Sequence, residues 1–290
     1  MADIFKPLRI ATDGAEINLV TGGEGPPLLL LHGYPQNLTM WRKIMARLAR
    51  HFTVVACDLR GYGDSAKPPG EDDHGGYSKR AMALDQVQVM NKLGFDRFFV
   101  AGHDRGGRVA HRMALDHEGA VSRLALLDIV PTHKLFATTD KAFATAYYHW
   151  FFLIQPADLP ETLIGADPAY YLDQLLGRWG RTEGAISPEA RAEYLRCFSD
   201  PATIHASCED YRAAASIDLV HDDADLDVKV ACPLLILWGK RGAMHRLYDL
   251  LECWRERAAD VRGRALDCGH YLPEEQPEET ADALIEFFAD

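Results

Sequence analysis

The sequence predicts an α/β fold in which a mostly parallel sheet is flanked by helices and interrupted by a helical insertion. Three observations carry this prediction. Short, continuous apolar runs recur at residues 28–31, 52–57, 98–101, 124–127 and 234–237, the pattern of strands buried on both faces. Helix-like stretches such as 40–50 and 79–93 separate them, and strands alternating with helices build parallel sheets. The alternation then fails between about residues 133 and 225, an aromatic-rich segment without a convincing strand, and resumes at Cys232.

Residues 8–19 read as two strands turning at Asp13-Gly14, a hairpin signal. The last stretch, 277–288, begins with Pro277 at a helix N1 position and puts Leu284, Phe287 and Phe288 on one face. The chain therefore divides into a core, residues 1–132 and 226–290, and a helical cap, residues 133–225. Its 290 residues suit one large core with such an insertion.

The composition, 48% hydrophobic and 26% charged, is that of a soluble globular protein. A formal net charge of −12 with no Lys/Arg-rich run argues against nucleic acid or an anionic membrane as partner. It also means that an anionic substrate must be drawn in by local arginines against the overall charge. MADIFKPLRI has no signal-peptide pattern, and no apolar stretch reaches the roughly 18 residues of a membrane span. Six scattered cysteines form no CxxC pair and read as reduced thiols, not as a disulfide framework or a zinc site. A cytoplasmic protein is expected.

Functional residues of open α/β sheets sit at the carboxyl ends of strands. After the run at 98–101 comes Gly102-His103-Asp104-Arg105-Gly106-Gly107 and then a helix with Val109, Ala110, Met113 and Ala114. This is the strand–turn–helix setting of a nucleophile elbow, with Asp104 where a serine often stands. A carboxylate is ionised at neutral pH and needs no base to activate it. It can displace a leaving group from an sp³ carbon, and water must then attack the resulting ester, a step that needs a general base. Cys268-Gly269-His270-Tyr271, after the last strand-like segment, supplies a late histidine with a suitable pKa. The acid orienting it is Asp128, at the end of the run 124–127, or lies after the next strand. That second place, residues 238–245, holds no carboxylate, which leaves Asp128. Backbone N–H groups of Tyr34, in the turn His32-Gly33-Tyr34-Pro35, and of Arg105 are candidates for an oxyanion site. Asp58 to Ser65 forms a second Gly-punctuated turn, read as structural.

Arg105 and Arg108 lie one helical turn apart beside the nucleophile. Arginine offers carboxylates a bidentate fork, so the pair points to an acid with its carboxylate next to the attacked carbon. Arg112 and Arg123 read instead as salt-bridge residues. A leaving halide needs donors too. The cap offers Tyr147-Tyr148-His149-Trp150-Phe151-Phe152 and, farther on, Glu209-Asp210-Tyr211-Arg212; spacing alone does not choose among these aromatics.

These residues bring the sequence to a known family. It resembles the fluoroacetate (haloacetate) dehalogenases of the α/β-hydrolase superfamily through His32-Gly33-Tyr34-Pro35-Gln36, Asp58 to Ser65, Gly102 to Arg108, Leu127-Asp128-Ile129-Val130-Pro131-Thr132, Tyr147 to Pro156, Glu209 to Arg212 and Gly269-His270-Tyr271. The elbow Asp-Arg-Gly-x-Arg and the cap motif Tyr-His-Trp-Phe-Phe are its most specific parts. The resemblance implies an eight-stranded α/β-hydrolase core and hydrolysis of small 2-haloacids, fluoroacetate and water giving glycolate and fluoride. It implies Asp104 as nucleophile, His270 as base, Asp128 as its partner, Arg105 and Arg108 on the substrate carboxylate, and His149, Trp150 and Tyr211 around the halide. It further implies a homodimer with no cofactor or metal. Gly107 and Ile154 stand where pocket size is left open. An epoxide hydrolase using the same Asp–His–Asp set is the alternative, with tyrosines such as Tyr147, Tyr148 and Tyr211 as acids; the arginine pair disfavours it, as it disfavours haloalkanes. A noncatalytic receptor on the hydrolase fold is disfavoured by the complete triad.

Overall fold

The structure, a computed structural model, describes residues 4–289. Eight strands form one sheet in the order β1-β2-β4-β3-β5-β6-β7-β8. β1 (Lys6–Ala11) and β2 (Glu16–Gly22) are the expected hairpin, and β2 also runs antiparallel to β4 (Thr53–Cys57). Every other pairing is parallel, through β3 (Pro27–Leu31), β5 (Phe98–His103), β6 (Val121–Leu127), β7 (Leu234–Gly239) and β8 (Val261–Leu266). Leu28 to Leu31 are buried, as are all six residues of β7. That explains the unbroken apolar runs, because a central strand meets helices on both faces. β8, at the edge, alternates between half-buried and exposed residues along most of its length.

Parallel pairing has a positional consequence. The carboxyl ends of β3, β5, β6 and β7 lie along one edge of the sheet, so the residues that follow them gather there.

Before β6 the chain forms α1 (Met45–Leu48), α2 (Lys79–Lys92) and α3 (Asp104–Asp116). The helix-like stretch 40–50 is not one helix. A 3₁₀ turn, Leu38–Trp41, is started by Asn37, whose side chain accepts from the Thr39 N–H, and α1 follows separately. Trp41, Ile44, Met45 and Leu48 are all buried, and that spacing fits two short turns as well as one helix. The turn 58–65 is organised around the Asp58 carboxylate, which accepts from the backbone N–H groups of Leu38 and Asp64 and from the Asn18 amide. This is the structural role expected of it.

Between β6 and β7, among the described residues, the chain forms eight helices and no strand: α4 (Thr132–Ala137), α5 (Lys141–Ala146), α6 (Tyr148–Leu153), α7 (Leu159–Ala166), α8 (Pro168–Trp179), α9 (Pro188–Phe198), α10 (Pro201–Ala214) and α11 (Ile217–Ala224). Asp167-Pro168, Ser187-Pro188 and Asp200-Pro201 start α8, α9 and α10. In each, the first side chain caps a free backbone N–H and the proline occupies the first turn, where it has no hydrogen bond to lose. After β7 come α12 (Ala243–Leu247) and α13 (Leu250–Arg255), then α14 (Leu272–Glu275) and α15 (Pro277–Ala289) behind β8. α15 buries Leu284, Phe287 and Phe288, and the Phe288 ring stacks on Phe99 of β5. No helix among the described residues is long and apolar enough to cross a membrane.

The junction of β5 and α3 is tightly constrained. A methyl group on Gly106 would lie 2.3 Å from the His32 carbonyl oxygen, and one on Gly102 would lie 2.5 Å from that of Gly106. The Gly106 N–H donates to the same His32 oxygen at 2.9 Å. α3 can therefore start directly against the end of β3 only with glycine at both places. Gly106→Ala is expected to force the helix off the strand and lower stability by about 1–3 kcal/mol or more. The midpoint of urea unfolding measures this, and an unchanged midpoint contradicts the account.

Candidate active site

Asp104, the first residue of α3, follows directly on β5 and has φ 45°, a left-handed backbone that costs a non-glycine residue about 1–3 kcal/mol. This turns its buried side chain away from the helix and toward the sheet edge. The Tyr34 backbone N–H, after β3, donates to Asp104 Oδ2 at 3.1 Å. Asp128, after β6, is also left-handed at φ 54°. Its Oδ1 accepts from the Gly239 N–H at 2.9 Å, and its Oδ2 lies 2.6 Å from His270 Nδ1. His270 follows β8 in a loop that the cap helps to hold: its N–H donates to the carbonyl of Trp179, the last residue of α8, at 3.0 Å. The His103 ring packs 4.5 Å from that of His270, centroid to centroid. Four separate chain ends thus bring Asp104, His270, Asp128 and the Tyr34 N–H together, as the order of the apolar runs led one to expect.

The electrostatics fit a carboxylate kept ionised beside a histidine that binds protons readily. Burial alone would raise Asp104, yet the charges of His270, Arg108 and Arg105 outweigh it and hold the carboxyl below its usual range. Burial alone would lower His270. The hydrogen bond and charge of Asp128, with the charges of Asp104 and Glu275, raise it above the ordinary histidine value instead. His103, buried and next to His270, is pushed down to about 3 and stays neutral.

Arg105 departs from its expected role in part. Its guanidinium is not an open fork. Nε and Nη2 make a bidentate pair with the Asp210 carboxylate at 2.9 and 2.7 Å, and Nη2 also reaches the Asp210 carbonyl. Both side chains are fully buried, and a charge in that position requires a partner. Only Nη1 is left over, buried and without a hydrogen-bond partner in the protein. Asp210 is shared further, with Lys79 and with the Tyr62 hydroxyl at 2.6 Å, and these charges hold it far below the usual carboxylate range despite its burial. Arg108 has only neutral acceptors, the Val130 carbonyl and Thr132 Oγ1, both at 3.0 Å, and its Nε has no protein partner. Burial and the like charge of Arg105 push it down to about 10, so it remains a cation at neutral pH.

The cap aromatics close over these groups. Arg105 lies 4.1 Å from the Tyr211 ring centroid and Arg108 4.6 Å from that of Trp150, within cation–π range. His149, Trp150 and Tyr211 are buried, and His149 Nδ1, Trp150 Nε1 and the Tyr211 hydroxyl have no protein partner. Buried polar atoms are normally paired, so these three, on His149 and Trp150 rings that each meet the Tyr211 ring edge-on, form a polar lining. Burial pushes His149 down to about 3, making it a neutral donor. Trp179, 4.5 Å from the His149 ring and 5.6 Å from that of His270, belongs to the same wall.

Sequence reasoning missed Asp210, Lys79, Tyr62 and Trp179. Asp210 stands inside a motif singled out for its neighbour Tyr211, but nothing local says that it meets Arg105. Other expectations need correction. Arg112 does form ion pairs, with Asp116 and Asp225, but is buried; Arg123 donates instead to the Phe287 carbonyl and lies over its ring. Gly107 faces Ile129, where a methyl would come within 2.8 Å, and Ile154 lines an outer cleft with His74 and Glu209. All six cysteines are free. The cluster of Asp64, Glu193 and Cys197 has metal-like proximity, but Arg196 pairs with both carboxylates and accounts for it.

Fold and site together place the chain in a known class. The profile of the α/β hydrolase fold family matches residues 26–277, and the chain belongs to that family. The fluoroacetate dehalogenase of Burkholderia sp is 50% identical over all of this chain and 96% of its own length, which bears out the resemblance read from the elbow and cap motifs. A soluble epoxide hydrolase of Corynebacterium sp. (strain C12) is 38% identical over 96% of this chain and 95% of its own. The crystal structure of an α/β hydrolase from Nostoc sp PCC 7120 superposes with a TM-score of 0.98 at 61% identity, covering 99% of both chains.

Removing the charge of Asp210 leaves two buried cations, Arg105 and Lys79, short of an anion. Asp210→Asn is expected to cost about 3–5 kcal/mol of stability, read as a lower thermal midpoint. A midpoint within a degree of the parent contradicts the pairing.

Proposed function

We propose that this chain is a dehalogenase that hydrolyses small 2-haloacids, releasing fluoride from fluoroacetate and also accepting chloroacetate. The observation that carries the reading is the pair of buried cations beside a carboxylate nucleophile: Arg105 Nη1 and Arg108 Nε are donors without a protein partner, as an anionic substrate requires. The identity to the Burkholderia enzyme supports the same substrate class.

The chemistry follows from the hydrogen bonds. Tyr34 N–H engages Asp104 Oδ2, which leaves Oδ1 to attack the α-carbon while Arg105 and Arg108 hold the carboxylate. The carbon–halogen electron pair leaves with the halide, which takes hydrogen bonds from the donors of His149, Trp150 and Tyr211. Such donors, fixed in advance in a buried site, matter most for fluoride, a poor leaving group. The product is an ester on Asp104. His270, oriented by Asp128, takes a proton from water, whose oxygen adds to the Asp104 carbonyl carbon. Negative charge collects on Oδ2, against the Tyr34 N–H and the Arg105 N–H at the start of α3. Collapse expels glycolate, which takes its proton back from His270. The timing of charge suits this role: esterification removes the Asp104 charge, one of the groups that raise His270, so His270 is more readily neutral at the stage where it must act as base.

Epoxide hydrolysis is the second reading, favoured by the Corynebacterium relative and by the buried, unpaired Tyr211 hydroxyl. The unfilled donors Arg105 Nη1 and Arg108 Nε weigh against it, and Arg108, whose protein acceptors are all neutral, gains no anionic acceptor from a neutral epoxide. We further propose that the enzyme works as a cytoplasmic homodimer, as the resemblance implies. Six free cysteines support the reducing compartment, and exposed Leu159, Leu163 and Tyr170 on α7 and α8 support a contact between cap helices.

Fluoride-electrode release from fluoroacetate, run beside an epoxide-diol assay, tests the function; diol formation without fluoride release overturns it. His270→Asn is expected to accumulate the ester, seen as a mass increase on the peptide carrying Asp104, with kcat lowered about 10²–10⁴-fold. No adduct after exposure to a substrate the parent consumes contradicts the role of His270. Because the hydrolytic step needs neutral His270, kcat is expected to rise with pH through the histidine range and level off. Asp104, held low, is expected to stay ionised on the acid side, so kcat should show no second limb from the nucleophile between pH 5 and 9. A kcat falling as pH rises through the histidine range contradicts both assignments.

A further inference from the structure

A protein whose formal charge is −12 must still collect a small anion if it is to hydrolyse haloacids. The outer surface holds an arrangement suited to that task. A cleft of about 820 Å³ opens where the cap meets the core, and its inner wall includes His270. Its charged lining comprises Lys141 of α5, Arg178 of α8, Arg181 just beyond α8, Arg246 of α12 and a single carboxylate, Asp140. The four cations come from three separate stretches of chain, two in the cap and one in the core, and converge on one opening. Several surface cations in this molecule are tied up: Arg9, Arg47, Arg80, Lys134, Arg191, Arg196 and Arg255 all pair with a carboxylate within 4.0 Å. Among the described residues, no ion pair of that kind involves the side chains of Lys141, Arg178, Arg181 or Arg246. Asp140 is itself engaged as the cap of α5, accepting from the Phe143 N–H.

We propose that Lys141, Arg178, Arg181 and Arg246 form an electrostatic funnel that concentrates the anionic haloacid at the mouth of the site and sets the preference for charged over neutral substrates before the buried arginines are reached. The proposal rests on the dehalogenase reading. Cations left unpaired around a concave opening with low-dielectric walls focus their field outward, raising the local concentration of an anion by roughly 10–10³-fold. The field reaches about 10 Å at 0.1 M salt and only about 3 Å at 1 M, so the effect belongs to the encounter and leaves the chemical step alone. Lys141, Arg178 and Arg246 are exposed, so their replacement leaves the buried packing in place.

The test compares the parent with a Lys141→Glu/Arg178→Glu/Arg246→Glu variant and with the matching triple Gln variant, by fluoride release at increasing NaCl. At low salt the Glu variant is expected to lose about tenfold in kcat/KM, and the Gln variant less, with kcat unchanged in both. The parent's kcat/KM should fall with salt and the three proteins converge at high salt. A loss that persists undiminished at high salt, a loss confined to kcat, or three coincident curves at low salt each overturn the funnel. A parent that releases no fluoride or chloride at all overturns the dehalogenase reading instead, and with it the need for a funnel.

Discussion

The site depends on one backbone constraint: the reversal of direction at Asp104. The residue is left-handed at φ 45°, and that conformation persists only because the surrounding chain leaves no alternative. Gly106 lets α3 start in contact with the end of β3, and the Gly106 N–H bond to the His32 carbonyl fixes that start. The same junction brings the Tyr34 N–H onto Asp104 Oδ2. The strain of a few kcal/mol at most is small against the packing of a sheet buried on both faces. The core holds Asp104 in a posture that a free chain would not adopt.

A second layer of organisation is electrostatic. Asp104, Asp128 and Asp210 are all buried, as are Arg105, Arg108 and His270. Each anion has assigned donors: Asp128 serves His270 and Gly239, and Asp210 serves Arg105, Lys79 and Tyr62. Asp210 has a double effect. It makes burial of Arg105 tolerable and turns the guanidinium so that one nitrogen remains for a ligand. Arg108 donates only to neutral acceptors, and burial with the like charge of Arg105 lowers it to about 10 although Asp104 lies nearby. In the proposed reaction the haloacid carboxylate adds a second anion there.

Much of this was legible in the sequence, for reasons that differ by element. The sheet was legible because buried parallel strands write themselves as continuous apolar runs. The elbow was legible because glycines flank a carboxylate just after one such run, and Asp128 because strand order left one carboxylate at the right place. The helix near residue 45 was misjudged because buried residues at helical spacing do not reveal where a helix is interrupted. The bond between Arg105 and Asp210 was not legible at all. It joins residues 105 apart, and which face of α10 meets the core depends on how the inserted helices pack. The same holds for Trp179, whose carbonyl holds the His270 loop from the far end of α8. The aromatics of the cap motifs could be singled out by residue type, but only the packed structure shows which of their polar atoms lack partners.

The central claim is that Asp104 attacks carbon and that water then attacks Asp104. A single turnover in water enriched in oxygen-18, with enzyme in excess over fluoroacetate, tests it most directly. The account predicts that the first glycolate carries an unlabelled hydroxyl oxygen, drawn from Asp104, and that the label enters the Asp104 peptide. Glycolate labelled in its hydroxyl in that first turnover, with Asp104 unlabelled, would mean that water attacks the substrate directly, and would contradict the account.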